Sequence, residues 1–107
     1  MEKILSEHKE GIRNFLIDFI KNENVNLEEV LYEFYDFDGI REFSFDLTDE
    51  IFEKYGFDYL YDILDNFSYE LTNNKKEDED NLWWCLIDKV EDYMKGILIE
   101  IKERDAM

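Results

Sequence analysis

Proline is absent from this chain, and glycine occurs only four times in 107 residues. Because these two residues most often interrupt helices, its segments must end at a few glycines, polar clusters or caps. No apolar run approaches the roughly 18 residues that span a bilayer. No positively charged segment followed by an apolar one opens the chain, as it would in a secretory leader. We therefore expect neither a membrane anchor nor a leader.

Cysteine and histidine occur once each, as Cys85 and His8. A single cysteine cannot form an internal disulfide, which fits a reducing cytoplasm. One imidazole and one thiol cannot supply the ligands of a usual zinc site. His8 falls within an apolar stripe, so a structural role is a simpler interpretation than a catalytic base. Since nucleophilic catalysis needs a nucleophile, a base and an orienting group, we expect no enzyme and no cofactor.

Calcium is the metal that so many carboxylates would suit. Asp36, Asp38 and Gly39 resemble the start of a calcium-binding loop, but residues 41–46 do not continue its ligand spacing. The acidic run at residues 77–80 is an alternative, loosely held cation site. A solvated acidic loop is the simpler interpretation, and we predict no metal.

Basic residues are scarce, with 12 lysines and arginines against 29 acids and a formal net charge of −17. The deficit is concentrated between residues 28 and 70, where fourteen carboxylates and thirteen of the eighteen aromatic rings face only Arg41 and Lys54. That stretch carries −12, whereas its two flanks carry −1 and −4. Such a surface repels phosphates and anionic lipids but attracts cationic proteins. We expect a basic protein partner, with no direct nucleic-acid or membrane binding.

The apolar residues, 45% of the chain, suffice for one core. Their helical periodicity predicts a single all-α domain over residues 1–107, a compact bundle of four to five helices. Gly39 and Gly56 are predicted to end helices, whereas Thr48 and Asp58 are predicted to begin them. The predicted helices cover about residues 2–22, 27–39, 48–55, 58–71 and 81–104.

Residues 40–47 break the helical pattern, because Phe43, Phe45 and Leu47 alternate with polar residues. A lone strand cannot satisfy its backbone hydrogen bonds. We therefore predict an extended aromatic connection that lays its rings on the helices. Residues 73–81 are predicted to form a charged loop.

The strongest functional pattern begins at Asp58. Asp58, Asp62, Asp65 and Tyr69 recur at steps of four, three and four, which places them on one helix face opposite the apolar side. Like charges at these spacings destabilise a helix. The helix predicted from residue 27 repeats the theme on its own outer side. The predicted partner-binding residues are Glu28, Glu29, Tyr32, Glu33, Asp36, Asp58, Asp62, Asp65, Tyr69 and Trp84.

Trp84 belongs to this set because of its place on the last helix. Trp83 is predicted to face inward, whereas Trp84 falls on the side of Asp88 and Glu91. An exposed tryptophan is a typical hot spot of a protein interface. The alternative is that another segment, such as residues 43–47, covers its ring.

In size, acidity and helical character, the chain resembles the small immunity proteins that bacteria keep beside nuclease toxins, of the colicin or contact-dependent growth inhibition type. The resemblance implies a cytoplasmic inhibitor that docks on a basic toxin domain. The alternative is an anti-CRISPR or anti-restriction protein that mimics nucleic acid, since carboxylates in a helical column rise about 4.5–6 Å per step. A third possibility is a protein that binds a divalent cation, and the simplest interpretation is an acidic surface without a specific partner.

Overall fold

The computed structural model describes residues 2–64 and 75–105, and within these ranges the chain is helical and contains no strand. The all-α prediction is confirmed. A short 3-10 helix (Phe34–Asp36) precedes the fourth α-helix. The six α-helices of the described ranges are α1 (Glu2–Glu7), α2 (Lys9–Glu23), α3 (Leu27–Tyr32), α4 (Asp38–Tyr55), α5 (Phe57–Ile63) and α6 (Lys75–Asp105).

The first predicted helix is divided into α1 and α2, because the backbone of His8 leaves the helical path between them. Asn24 closes α2 in the left-handed conformation, with its N–H donating to the carbonyl of Ile20. Asn26 caps the start of α3, because its side chain accepts a hydrogen bond from the backbone N–H of Glu29 at 2.7 Å. The second predicted helix is shorter than expected, since α3 ends at Tyr32.

The prediction of an extended connection at residues 40–47 is wrong, and so is the predicted helix start at Thr48. Both lie within the 18 residues of α4. The predicted stop at Gly39 is also wrong, since Gly39 occupies the first turn of α4. A Cβ at Gly39 would lie 3.1 Å from Cε2 of Phe19, so this glycine lets α2 and α4 approach each other closely.

The alternating rings of residues 43–47 contact two different neighbours of α4. Phe43 stacks on Phe15 of α2, with ring centroids 4.1 Å apart and planes 10° apart. The ring centroid of Phe45 lies 5.5 Å from that of Trp83 in α6. Because α4 packs between α2 and α6, its apolar residues occupy two sides and do not form one simple stripe.

Gly56 ends α4 as predicted, with a φ of 83° that favours glycine. Gly56 is also the residue that precedes α5, so Asp58 lies in the first turn of α5 and is not its cap. That part of the prediction is wrong. The predicted helix residues Asp65, Phe67, Tyr69 and Leu71 lie outside the described residues.

Helix α6 has 31 residues and a length of about 46 Å, close to the 49 Å long dimension of the molecule. It packs against α2, α3, α4 and α5. Residues 75–81, predicted as part of a loop, belong to it. Leu82 is fully buried whereas Trp83 is half-buried, so the inward position is one residue earlier than predicted. In the described ranges, no helix is both long enough and apolar enough to cross a bilayer.

Candidate binding surface

Five carboxylates follow one side of α4 at steps of four, four, three and four residues. This spacing makes each carboxylate a neighbour of the next on the helix surface. All five residues are exposed, and the row extends over about 22 Å. We call it the α4 acidic row, and it consists of Asp38, Glu42, Asp46, Asp49 and Glu53.

The two basic residues of α4 lie outside this row. The guanidinium carbon of Arg41 lies 5.5 Å from the ring centroid of Phe45. The ammonium group of Lys54 lies 5.3 Å from the ring centroid of Tyr55. Asp49 accepts a hydrogen bond from the indole N–H of Trp83 at 2.7 Å. Within residues 2–64 and 75–105, no carboxylate of the row forms an ion pair.

The predicted site residues of α3 and the 3-10 helix are exposed: Glu28, Glu29, Tyr32, Glu33 and Asp36. The ring of Tyr32 is 90% exposed. Glu28 differs from the others, because Nζ of Lys102 lies 3.5 Å from its Oε1. This carboxylate therefore has a countercharge within the chain, and it is a weaker candidate than the prediction assumed.

The predicted site residues of α5 are exposed as far as the structure describes them. Asp58 and Asp62 face solvent beside the exposed rings of Tyr59 and Tyr61. Asp65 and Tyr69, the other predicted members of this column, are outside the described ranges. Along the chain, α3 and the 3-10 helix precede α4 and α5 follows it, so the α4 acidic row lies between the two predicted faces in sequence.

Sequence reasoning missed the α4 acidic row, although its spacing is visible in residues 38–53. The alternation of Phe43, Phe45 and Leu47 favoured an extended segment and concealed the helical spacing of the acids. Testing residues 38–53 against a 3.6-residue period would have found the row.

Beside the row lies an aromatic groove formed by α4 and α6. Trp84 is 43% exposed, and its ring meets Phe45 at 6.1 Å and Trp83 at 5.0 Å, nearly perpendicular to both. Phe45 thus covers one part of the Trp84 ring and leaves another part in solvent. The prediction of an exposed Trp84 and the alternative of a ring covered by residues 43–47 are therefore each correct in part. We call this open space of about 530 Å³ the tryptophan groove, lined by Asp49, Phe52, Glu79, Asp80, Trp83 and Trp84.

A second groove, of about 360 Å³, lies between the start of α2 and the middle of α4. It is lined by His8, Gly11, Ile12, Phe43, Asp46, Leu47 and Glu50. His8 is half-buried there. Its lining contains no hydroxyl or thiol that could act as a nucleophile, and we assign His8 no chemical role.

One carboxylate of α6 is buried. Glu91 is 6% exposed, and burial raises its pKa above the ordinary value because the charged form loses its hydration. Arg41 and Lys95 oppose this shift in pKa, whereas Asp88 and Asp92 add to it. A glutamate four residues before a lysine, as Glu91 is before Lys95, is typical of a surface ion pair, so the sequence does not predict the burial of Glu91.

The residues that the structure describes contain no group of three histidine, cysteine, aspartate or glutamate side chains placed to hold a metal ion. The chain matches no protein-family model, no curated protein and no solved structure. The function of the protein is therefore inferred from the geometry and charge of its surface.

Proposed function

We propose that this protein is an acidic binding protein that neutralises a cognate basic protein, and that the partner is a bacterial nuclease toxin. The supporting observation is the α4 acidic row, five exposed carboxylates that form no ion pair among the described residues. A cationic partner would supply the countercharges that the chain itself leaves out.

The α4 acidic row lowers the stability of the isolated protein. Each adjacent pair of like charges destabilises a helix by about 0.2–0.5 kcal/mol, so its four pairs cost about 1–2 kcal/mol. A surface that served only solubility would not need its charges in register on one helix face. A partner with matching cations would remove this repulsion on binding.

Exposed aromatic rings support a protein partner. Tyr32 is 90% exposed and gains little from burial in the fold, and Tyr59 and Tyr61 are also exposed. Tyrosine is enriched in protein interfaces, where it supplies contact area, while surrounding charges steer the encounter. A nuclease domain binds a polyanionic substrate, so it must present the basic surface that these acids would match.

We expect a toxin with a nuclease domain to be encoded beside the gene for this chain, and the test is the rate of association with that domain. We expect Glu42→Lys with Glu53→Lys to slow association about tenfold at low salt and to flatten its dependence on ionic strength. The measurement is stopped-flow kinetics over a series of salt concentrations. The control is Glu10→Lys with Asp18→Lys, two exposed positions of α2 with the same change in net charge.

Equal slowing by the two double variants would mean that net charge acts without a local site, and it would overturn the assignment of the row. Asp58→Lys with Asp62→Lys tests the predicted α5 face by the same measurement. An unchanged rate in that variant would remove α5 from the interface. Failure of the wild-type chain to bind or inhibit this nuclease would refute the toxin assignment itself.

The second candidate, a nucleic-acid mimic, is favoured by the charge spacing of the row. Five charges over about 22 Å are separated by four intervals of about 5.6 Å on average, compared with about 3.4 Å per phosphate along one strand. A mimic would displace duplex DNA from several unrelated DNA-binding proteins, whereas an immunity protein would act on its cognate toxin. Displacement of labelled DNA from two such proteins separates the candidates.

A further inference from the structure

Both tryptophans of the chain, Trp83 and Trp84, line the tryptophan groove. Their rings are nearly perpendicular, at 83°, with centroids 5.0 Å apart. Trp84 leaves almost half of its surface in solvent. A large apolar ring exposed beside a groove is typical of an anchor for a partner's side chain.

The groove is held in shape by contacts from both helices. The indole N–H of Trp83 donates to Oδ1 of Asp49 at 2.7 Å, which fixes the orientation of that ring across the α4 and α6 interface. Phe45 supports both tryptophans from α4. A guest side chain would therefore meet rings that already have their bound positions, which lowers the entropic cost of binding.

The polar lining of the groove is acidic, with Asp49 from α4 and Glu79 and Asp80 from α6. Among the described residues, Glu79 and Asp80 form no ion pair. Both lie in the second turn of α6, beyond the first turn, in which the positive end of the helix dipole is strongest. An aromatic face bordered by free carboxylates suits a flat cation.

We propose that the tryptophan groove holds an arginine side chain of the basic partner, with its guanidinium stacked on Trp84 and paired with Glu79 and Asp80. The inference rests on the proposed function, because the arginine belongs to that same partner. Arginine fits better than lysine, since a guanidinium is planar, weakly hydrated and able to pair with carboxylates while it stacks on a ring. The chain already contains such a contact, in which Arg41 lies over Phe45 at 5.5 Å.

Intrinsic fluorescence gives a direct test, because the two tryptophans of the groove are the only ones in the protein. The probe is a blocked Gly-Arg-Gly tripeptide, and the control is the same peptide with citrulline, which has the shape of arginine without its charge. We expect the arginine peptide to change the tryptophan emission with half-saturation at about 1 mM, as for a weak single-side-chain contact. The citrulline peptide should have no effect in this concentration range.

Glu79→Gln with Asp80→Asn should raise the half-saturating concentration of the arginine peptide about fivefold, because two charge contacts near the surface are lost. Glu10→Gln with Asp18→Asn is the matched control, with the same charge change at two exposed positions of α2 away from the groove, and should leave the half-saturating concentration unchanged. Trp84→Leu should abolish the response of the remaining Trp83. Circular dichroism checks that each variant is folded.

An equal response to the citrulline peptide would overturn the inference, and so would an equal loss of affinity in the Glu10 and Asp18 control. Either result can occur while association with the nuclease stays rapid and salt-dependent, so the groove can fail without the proposed function. Conversely, peptide binding without nuclease binding would support the groove and refute the toxin assignment.

Discussion

Thr48 is fully buried in α4, and its Oγ1 has no hydrogen-bond partner among the described residues. One turn earlier, the hydroxyl of Ser44 donates to the carbonyl of Ile40 at 3.0 Å and lies 3.2 Å from the sulfur of Met94. The hydroxyl of Ser44 therefore has hydrogen-bond partners, whereas that of Thr48 has none among the described residues. A buried polar atom without a partner costs free energy that an apolar group of similar shape would not.

We expect Thr48→Val to raise the free energy of unfolding by about 1 kcal/mol, since it removes the unpartnered hydroxyl and keeps the shape of the side chain. Ser44→Ala, which loses a hydrogen bond, should lower it by about 1 kcal/mol. Urea denaturation measures both values. A loss of stability in Thr48→Val would contradict the assignment of Thr48 as an unsatisfied group.

Glu91 provides a pH-dependent test at the residue scale. Its pKa is raised in the folded protein, so the folded state holds the proton more tightly than the unfolded state does. The stability that Glu91 contributes is fully present below its ordinary pKa and is lost as the pH rises through the raised value. Ionised Glu91 therefore weakens the fold at neutral pH, where Arg41 and Lys95 compensate only in part.

Glu91→Gln should increase stability at pH 7 and reduce its decline as pH rises above about 5, because glutamine keeps the shape without the charge. Urea denaturation at several pH values measures the change, starting above the isoelectric point of about 4.2. Glu103→Gln, an exposed position of the same helix, should leave the pH dependence nearly unchanged. An unaltered pH dependence in Glu91→Gln would show that the burial of this carboxyl has no energetic effect.

At the scale of the element, α4 combines a buried side with the α4 acidic row. Leu47 and Ile51 are buried in the core, whereas Glu42 lies in the row between Asp38 and Asp46. Packing against α5 and α6 holds the helix together despite the repulsion along its outer side. The repulsion along the row therefore makes α4 less stable than the same helix would be with neutral residues at these positions.

Glu42→Lys should raise the free energy of unfolding by about 0.5–1 kcal/mol, because two repulsive neighbours become attractive ones. Glu42→Gln should give about half of this gain, since it only removes the repulsion. Thermal and urea unfolding measure the difference, and added salt should reduce it. A Glu42→Lys variant less stable than the wild type would mean that the charge of Glu42 supports the fold.

The same helix marks the limit of what its sequence could predict. Gly56 was identified correctly because a positive φ after a helix favours glycine. Gly39 was not, because it serves a close approach to Phe19, and such a contact depends on the partner helix. Phe43 and Phe45 alternate in sequence because α2 and α6 flank α4, which a pattern from one segment cannot reveal.

At the scale of the whole molecule, the all-α class and most of the α6 core could be predicted, since apolar periodicity encodes which residues a helix buries. The burial of Glu91 could not, because it depends on where Arg41 of α4 lies. The tryptophan groove likewise needs Asp49 beside Trp83, two residues far apart in the chain. The exposed acids of α3 and α5 were located in advance because they oppose local apolar residues.

The outer side of α4 and the inner side that forms the core belong to one rigid helix. A partner that binds these acids therefore also stabilises the fold. It raises the free energy of unfolding by about 4 kcal/mol when it is present at a thousand times its dissociation constant. Proteases that cleave unfolded chains would then degrade the unbound protein faster than the partner-bound protein. Turnover in the cell would adjust the amount of this protein to the supply of its target.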